Sequence, residues 1–297
     1  MRYEPYRAET LRVAYCHRIC LHAQTYRRLP QPCLEGLHKN QLAAALAPYS
    51  LHLLDLGADG TDLVCQLSLQ PAEPIASAAS KFKGRLSKWL RSMQNLDSPG
   101  KLLAKGYLAY TVGDTTDTIV ANYLDRQGEH HGYSNRPRPP VLVETFAEAS
   151  SAVRLDAAHS VSLLRYHLVF GTARRRGIFT QAEGGGVIEA WRALEPGHQF
   201  ALLKASFVPD HVHLAIRVHP AAKPLALATE LMNVAQEVMF EQFPEIMIRY
   251  GGNRLRENGA YIGSIGDVTS RAVRNTIRRW HEARTPVPDL LVEARRP

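Results

Sequence analysis

Two histidines separated by one hydrophobic residue are the strongest chemical signal in this sequence. His211 and His213 flank Val212 in the run FVPDHVHLAIRV, whose alternation predicts a β-strand. Residues two apart in a strand point to the same face of the sheet, so both imidazoles could bind one metal ion. Two partly buried structural histidines would produce the same pattern, so the pair alone does not identify a metal site.

A tyrosine and a glutamine four residues apart form the second signal. Tyr123 and Gln127 lie in a stretch that predicts a helix over 116–128, and their spacing puts them on one face of it. A tyrosine hydroxyl is a weak nucleophile because its ordinary pKa is about 10, but a divalent metal that polarises a phosphate can compensate. Gln127 offers an oxygen ligand for Mg²⁺ or Mn²⁺. The alternative interpretation of Tyr123 is a half-buried aromatic anchor.

The two signals lie in different copies of an internal repeat. The same blocks occur twice in the same order, which is the signature of a duplicated domain. The matched blocks are 17–28 with 166–177, 50–71 with 199–220, and 107–127 with 260–280.

Each copy lacks the chemical residues that the other retains. Thr276 and Trp280 occupy the second-copy positions that match Tyr123 and Gln127. Asp62 and Val64 occupy the first-copy positions that match the histidine pair. Because the losses are reciprocal, the surviving residues add up to one complete set.

The elements expected to position these residues follow the same order in both copies. In the first copy, the hydrophobic patterns predict strands at 12–21, 50–56, 62–69 and 107–112, and helices at about 33–47, 75–93 and 116–128. Short strands with crossover helices favour the α+β class, with an antiparallel sheet that carries its helices on one face. The proline- and arginine-rich run 134–140 predicts a break. We therefore expect domains at 1–133 and 159–297, joined by a linker over 134–158.

Composition narrows the class of partner. The formal net charge of +8 favours a polyanion, with nucleic acid as the leading candidate, although a merely basic protein would have the same balance. No apolar window is long enough to cross a membrane, and the N-terminal residues do not resemble a secretion signal. The cysteines are expected to be free thiols in a reducing compartment, which favours the cytoplasm. They are Cys16, Cys20, Cys33 and Cys65.

Basic segments in both copies could contact phosphates. The helix over 75–93 also carries Phe82 and Trp89, which are expected to be available for stacking on unpaired bases. A solvated helix face is the alternative interpretation. The remaining histidines, including His167 and His219, are interpreted as structural. The candidate DNA-binding residues are Lys81, Lys83, Arg85, Lys88, Arg91, Arg174, Arg175 and Arg176.

The motifs together resemble the single-tyrosine HUH transposases of small bacterial insertion sequences and their REP-associated relatives. The resemblance rests on PDHVHL, on the preceding YHLVFGTARRR, on KFKGRLSKWLRSM, and on the G-D turn and helix that bear Tyr123 and Gln127. It covers nearly the whole chain. It implies two ferredoxin- or RRM-like domains packed as a pseudo-two-fold dimer, because members of this family build each active site from two protomers.

The resemblance also implies a reaction and a cofactor. His211, His213 and Gln127 would hold Mg²⁺ or Mn²⁺, and Tyr123 would attack a phosphate of single-stranded or hairpin DNA. The products would be a 5′-phosphotyrosine and a free 3′-hydroxyl, formed by a monomer that acts as an internal pseudo-dimer near the bacterial nucleoid. A catalytically inactive, transposase-derived hairpin-binding protein is the main alternative. A replication-initiator or relaxase-type nickase is the weaker one, because no helicase segment is present.

Overall fold

The computed structural model covers most of both predicted copies. Gln127, Thr276, Trp280 and the break at 134–140 lie outside the described residues. Those described are 3–26, 36–59, 61–94, 101–114, 116–125, 141–147, 155, 157–158, 160–250, 253–256, 258–266 and 269.

The helices of the described residues match the predicted pattern closely. The first copy contains α1 (Gly36–Leu46), α2 (Ile75–Gln94) and α3 (Asp117–Asp125). The second contains α4 (Gln181–His198), α5 (Pro224–Gln242) and α6 (Pro244–Tyr250). Thr180 begins α4 with a capping box, in which its side chain and that of Glu183 satisfy backbone donors of the first turn. No helix among these is long and apolar enough to cross a membrane.

The strands form two separate sheets, which confirms the α+β class. One sheet has the order β3-β4-β2-β5-β7, and the other has the order β1-β11-β8-β10-β9-β6. Both are antiparallel except for one parallel pair each, β5 with β7 and β1 with β11. The first five strands are Arg12–Cys16 (β1), Arg18–Gln24 (β2), His52–Asp59 (β3), Asp62–Ser68 (β4) and Tyr107–Val112 (β5). The others are Leu142–Thr145 (β6), Ser160–Leu163 (β7), Arg165–Gly171 (β8), Phe200–Val208 (β9), His211–Val218 (β10) and Gly259–Ile265 (β11).

The two halves exchange their first strands. The prediction of one strand over 12–21 was wrong, because the chain breaks at the buried His17 and its two parts join different sheets. β1 pairs with β11 of the second half, and β7 pairs with β5 of the first. β6, which falls inside the expected linker, extends the second sheet by pairing with β9. Each sheet therefore contains a strand from both halves.

The pairing registers relate the two halves more accurately than the sequence blocks do. Arg18 lies opposite Ser68 in the first sheet, and Arg165 lies opposite Arg217 in the second. Since Ser68 and Arg217 are matched positions, Arg18 corresponds to Arg165. This is a shift of two residues from the sequence alignment of this block. An even shift leaves the apolar face unchanged, so hydrophobic alternation could not detect it.

Two buried hydroxyl groups at matched positions form hydrogen bonds between the halves. Thr111 donates from Oγ1 to the Ile265 carbonyl at 2.5 Å, and Ser264 donates from Oγ to the Val112 carbonyl at 2.7 Å. Each hydroxyl also accepts a backbone N–H from the other half, from Arg165 at 2.8 Å and from Arg18 at 2.9 Å respectively. These reciprocal bonds connect the two sheets where the ends of β5 and β11 meet.

The turns that follow these hydroxyls also meet reciprocally. Gly113 bridges Thr269, and Thr116 bridges Gly266. The approach is close enough that a Cβ atom on Gly266 would overlap the Thr111 carbonyl oxygen. A glycine is therefore required where the second turn passes the first.

The crossed hydroxyl bonds predict a specific loss of stability. Thr111→Val keeps the side-chain volume but removes the donor to the buried Ile265 carbonyl, so the free energy of unfolding should fall by about 1–3 kcal/mol. Urea unfolding followed by circular dichroism measures this. Thr10→Val is the matched control, because Thr10 is exposed and its hydroxyl donates to the carbonyl of nearby Arg7. Equal stability of the two variants would contradict a role for the Thr111 hydroxyl in joining the sheets.

Candidate functional site

The two faces of β10 have different surroundings. Val212, Leu214 and Ile216 point into the main hydrophobic core with α4 and α5. His211 and His213 point to the opposite face, and their ring centroids lie 4.8 Å apart. Both are buried, with 2% and 4% of their surface exposed. The alternation of apolar residues in the sequence therefore correctly predicted that His211 and His213 share one face of the strand.

His211 is oriented by the acidic residue that precedes it. Its Nδ1 lies 2.7 Å from Asp210 Oδ1, and the other Asp210 oxygen forms an ion pair with Arg175 Nε at 2.9 Å. Burial alone would raise the pKa of Asp210, but the hydrogen bond and charge of His211 and the charge of Arg175 outweigh it and lower that pKa. An ionised carboxylate on Nδ1 is the usual partner of a metal-binding histidine, and it makes Nε2 the coordinating nitrogen.

His213 is supported by a histidine on the neighbouring strand. His167 in β8 stacks on it at 5.1 Å between ring centroids, and His167 Nε2 lies 2.9 Å from His213 Nδ1. Burial lowers the pKa of His167 to about 4, so this ring is neutral at pH 7. One ring donates and the other accepts, which orients His213 and again makes Nε2 its outer nitrogen.

Tyr123 reaches this face from the other half of the chain. Its ring meets His213 edge to face, with 5.5 Å between the ring centroids. Val120 and Leu124 on α3 pack against Ala215 and Ile265 of the second half. The tyrosine helix therefore lies on the sheet that carries the histidine pair.

Polar bonds hold the end of α3 in that position. Lys204 Nζ on β9 lies 2.6 Å from Asp125 Oδ1, and Ser206 Oγ donates to the Leu124 carbonyl at 3.1 Å. Both residues are buried, with 8% and 0% of their surface exposed. A paired cation and a hydrogen-bonded hydroxyl in this setting specify which helix surface docks, because an unpaired partner would be costly.

The histidine pair supplies part of a metal-ligand set. Within the part of the chain that the structure describes, no three His, Cys, Asp or Glu side chains converge as a complete metal site. Gln127, the expected third ligand, lies beyond the described end of α3. Each imidazole has a hydrogen-bond partner on Nδ1, which leaves its Nε2 for a metal ion. Two such imidazoles fit a divalent cation and leave its other positions to oxygen ligands.

The basic helix α2 is more structural than its sequence indicated. Lys81 pairs with both oxygens of Glu73, and Arg85 lies over the ring of Tyr49 at 3.9 Å. Lys83 Nζ donates to three consecutive carbonyls of the loop before β5, at 2.5–2.9 Å. Lys88 and Arg91 are exposed.

The aromatic residues of α2 are not available to nucleic acid. Phe82 is fully buried, and Trp89 is 7% exposed. The expectation that they stack on unpaired bases is wrong, because both belong to the core that joins α2 to the first sheet.

The three arginines after β8 form a turn that Arg175 links to the histidine strand. Arg174 and Arg175 both have positive φ in a short 3-10 turn, a conformation that is uncommon for side chains with a Cβ atom. Arg175 holds Asp210, as described above, while Arg174 and Arg176 line a pocket of about 190 Å³ together with Arg254. The arginine turn is therefore linked through Asp210 to His211.

Sequence reasoning missed three supporting residues. His167 was interpreted as structural, although it lies on the face of β8 that continues the histidine face of β10. Its alternation with Tyr166 and Leu168, which both point into the core, was the available signal. Lys204 and Ser206 gave no such signal, because their partner helix is distant in the sequence.

Comparison with known proteins shows what the second half is similar to. Residues 160–279 match the family model described as "Transposase IS200 like". The IS200 insertion-sequence transposases of Salmonella typhimurium and Salmonella typhi are each 24% identical over 114 residues, which is 38% of this chain and 75% of the relative. A solved candidate transposase from Deinococcus radiodurans R1 is 21% identical and covers 43% of this chain and 96% of its own, with a TM-score of 0.35.

The matched segment contains the histidine strand, its supporting strand β8 and the arginine turn. Through residues 160–279, this chain is therefore similar in sequence to the IS200-like transposases.

Proposed function

We propose that this transposase cuts and rejoins single-stranded DNA at one composite site, with Tyr123 from the first half and His211 and His213 from the second. The observation that carries the proposal is the edge-to-face contact of Tyr123 with His213 across the two halves. A half-buried tyrosine used only for packing needs no buried histidine pair beside it. A tyrosine that attacks phosphorus needs an activated phosphate, because a phenol is a weak nucleophile, and a metal ion held by the histidine pair would supply that activation.

The proposed reaction is an in-line displacement at phosphorus. The Tyr123 hydroxyl oxygen forms a bond to the scissile phosphorus and loses its proton to solvent, while the bond from phosphorus to the 3′ oxygen breaks. The 3′ oxygen takes up a proton and leaves as a hydroxyl, and the 5′ phosphate remains on the tyrosine. Attack by a 3′-hydroxyl on this phosphotyrosine reverses the step and joins two strands.

The histidine pair would hold Mg²⁺ or Mn²⁺ together with Gln127. A divalent cation there would supply positive charge to the oxygens of the scissile phosphate. Asp210 and His167 orient the two imidazoles through their Nδ1 atoms, which leaves the Nε2 atom of each ring for a metal ion. Lys204 and Ser206 hold α3 so that Tyr123 faces the two imidazoles.

We further propose that the chain is a fused pseudo-dimer, with copies at 1–133 and 159–297, that acts as a monomer. The exchanged strands and crossed hydroxyl bonds support it, because an isologous interface repeats each contact at the matched position. Fusion removes the need for two identical sites, since each half is encoded separately. One site could then be lost without losing the reaction.

DNA would reach the site over the arginine turn. Arg175 pairs with Asp210 next to His211, Arg174 and Arg176 flank it in the same turn, and Lys88 and Arg91 add exposed charge on α2 of the other half. Phosphate contacts of this kind would make affinity fall steeply with salt.

Removal of the tyrosine hydroxyl should abolish the covalent intermediate. Tyr123→Phe keeps the ring on His213 but has no oxygen to attack phosphorus, so no adduct should form with a labelled single-stranded oligonucleotide in Mg²⁺ or Mn²⁺. Adduct formation is read as a shifted band on a denaturing gel. Tyr26→Phe is the matched control, because Tyr26 is 60% exposed and lies outside the site. An adduct that persists in Tyr123→Phe would contradict the proposed nucleophile.

The reaction should require both the histidine pair and a divalent ion. His213→Ala or a chelator should slow adduct formation at least about 100-fold, because several kcal/mol of charge stabilisation are lost. His198→Ala, at an exposed position at the end of α4, should keep the wild-type rate. If wild-type protein binds hairpin DNA but forms no adduct with any metal, the inactive binding protein is the better description.

Asp210 should tune the metal requirement without being essential. Asp210→Asn keeps the shape of the side chain but weakens its hold on His211, so the Mn²⁺ concentration for half-maximal adduct formation should rise about 10–100-fold. Asp114→Asn is the control, since its carboxylate is 72% exposed and pairs with Arg18. An unchanged metal dependence in Asp210→Asn would mean that Asp210 does not orient a metal ligand.

A further inference from the structure

A pocket of about 500 Å³ opens on the first sheet where the second sheet has its histidine site. Asp62 on β4 matches His211 in the repeat, so this pocket is the counterpart of the proposed cleavage site. We propose that it binds an unpaired DNA base that carries an exocyclic amine, and that it holds a strand which this half of the protein does not cut. This inference rests on the proposed function for the choice of DNA as ligand.

The pocket has apolar sides suited to a planar ring. Leu108 on β5 lies beside Val161 on β7 in the parallel pairing, and both line the opening. Tyr107 and Ala104 add an aromatic and an aliphatic surface. A volume of this size and a mostly apolar wall are typical of small-molecule sites.

Its polar groups are rich in acceptors. Asp62 and Gln24 lie directly opposite each other on neighbouring strands, and both line the pocket. A carboxylate would repel a phosphate but accepts hydrogen bonds from an amine, as it does from the amino group of cytosine. A glutamine amide pairs well with adenine. Thymine has no amine, so it would bind least well.

Hydrogen bonds hold the floor of the pocket in place. His22 is 8% exposed, and its Nε2 lies 3.2 Å from the Tyr110 hydroxyl and 3.4 Å from Cys20 Sγ. By the strand registers, Cys20 matches His167 and Tyr110 matches Gly263. The first half therefore has a hydrogen-bonded cluster in place of the stacked histidines of the cleavage site, and it keeps an open space beside that cluster.

An exposed lysine on the rim is available to the DNA backbone. Lys105 is exposed between Ala104 and Gly106, which both line the pocket. Lys83 fixes this loop through its three bonds to the backbone carbonyls of these residues. A phosphate beside a bound base could thus meet Lys105, while the base edge enters toward Asp62.

Binding of two homopolymers tests the pocket. Fluorescence anisotropy with labelled (dC)12 and (dT)12 is measured on the full chain carrying Tyr123→Phe, so that no adduct forms. We expect this protein to prefer (dC)12. Asp62→Asn replaces a charged carboxylate, which only accepts, by a neutral amide with one acceptor and one donor, and should weaken (dC)12 binding about 5–100-fold while leaving (dT)12 unchanged. Glu9→Gln, at an exposed acid outside the pocket, should keep the preference.

A second variant distinguishes loss of the pocket from a change in folding. Val161 is 56% exposed at the opening, so Val161→Trp should fill the pocket without disturbing the core, and it should also remove the preference. A preference that is absent from the start, or that survives both Asp62→Asn and Val161→Trp, overturns the inference.

Adduct formation by the chain with Tyr123 intact separates this inference from the proposed function. Adducts without any base preference would refute the pocket and leave the cleavage site standing. A base preference that depends on Asp62 in a protein that forms no adduct would support the pocket and refute the cleavage site.

Discussion

The reciprocal exchange between the two halves is the constraint on which the rest of the structure depends. Thr111 and Ser264 each donate a buried hydroxyl to a carbonyl of the opposite half and accept a backbone N–H from it. Each sheet also contains an edge strand of the other half. Neither sheet could move away without leaving buried polar groups unsatisfied, so the relative position of the halves is strongly specified.

That constraint explains why a helix of the first half can complete a site on the second. β5 and β11 meet at the crossed hydroxyls, and each turn leads its chain across the boundary. α3 follows the first turn and lands on β9, where Lys204 and Ser206 engage its last residues. Tyr123 is thereby held against His213 by contacts that lie outside the site itself.

Much of the local structure was predictable from the sequence, but the supporting contacts were not. Periodicity indicated α2 and α3 and the shared face of His211 and His213, because these patterns depend only on neighbouring residues. The separation of β1 from β2 was missed, since the two strands continue one alternating run. Phe82 and Trp89 were placed on the DNA side because a mixed basic and aromatic helix does not reveal which face is buried.

The sequence by itself indicated a repeat whose copies have complementary losses, and it determined which residues share a strand or a helix face. These properties follow from composition and spacing. Only the tertiary structure decided that α3 lies on the opposite sheet, that His167 supports His213, and that Lys83 fixes a loop rather than facing solvent. Those outcomes depend on contacts between residues far apart in the chain, where strand exchange and burial select the partner.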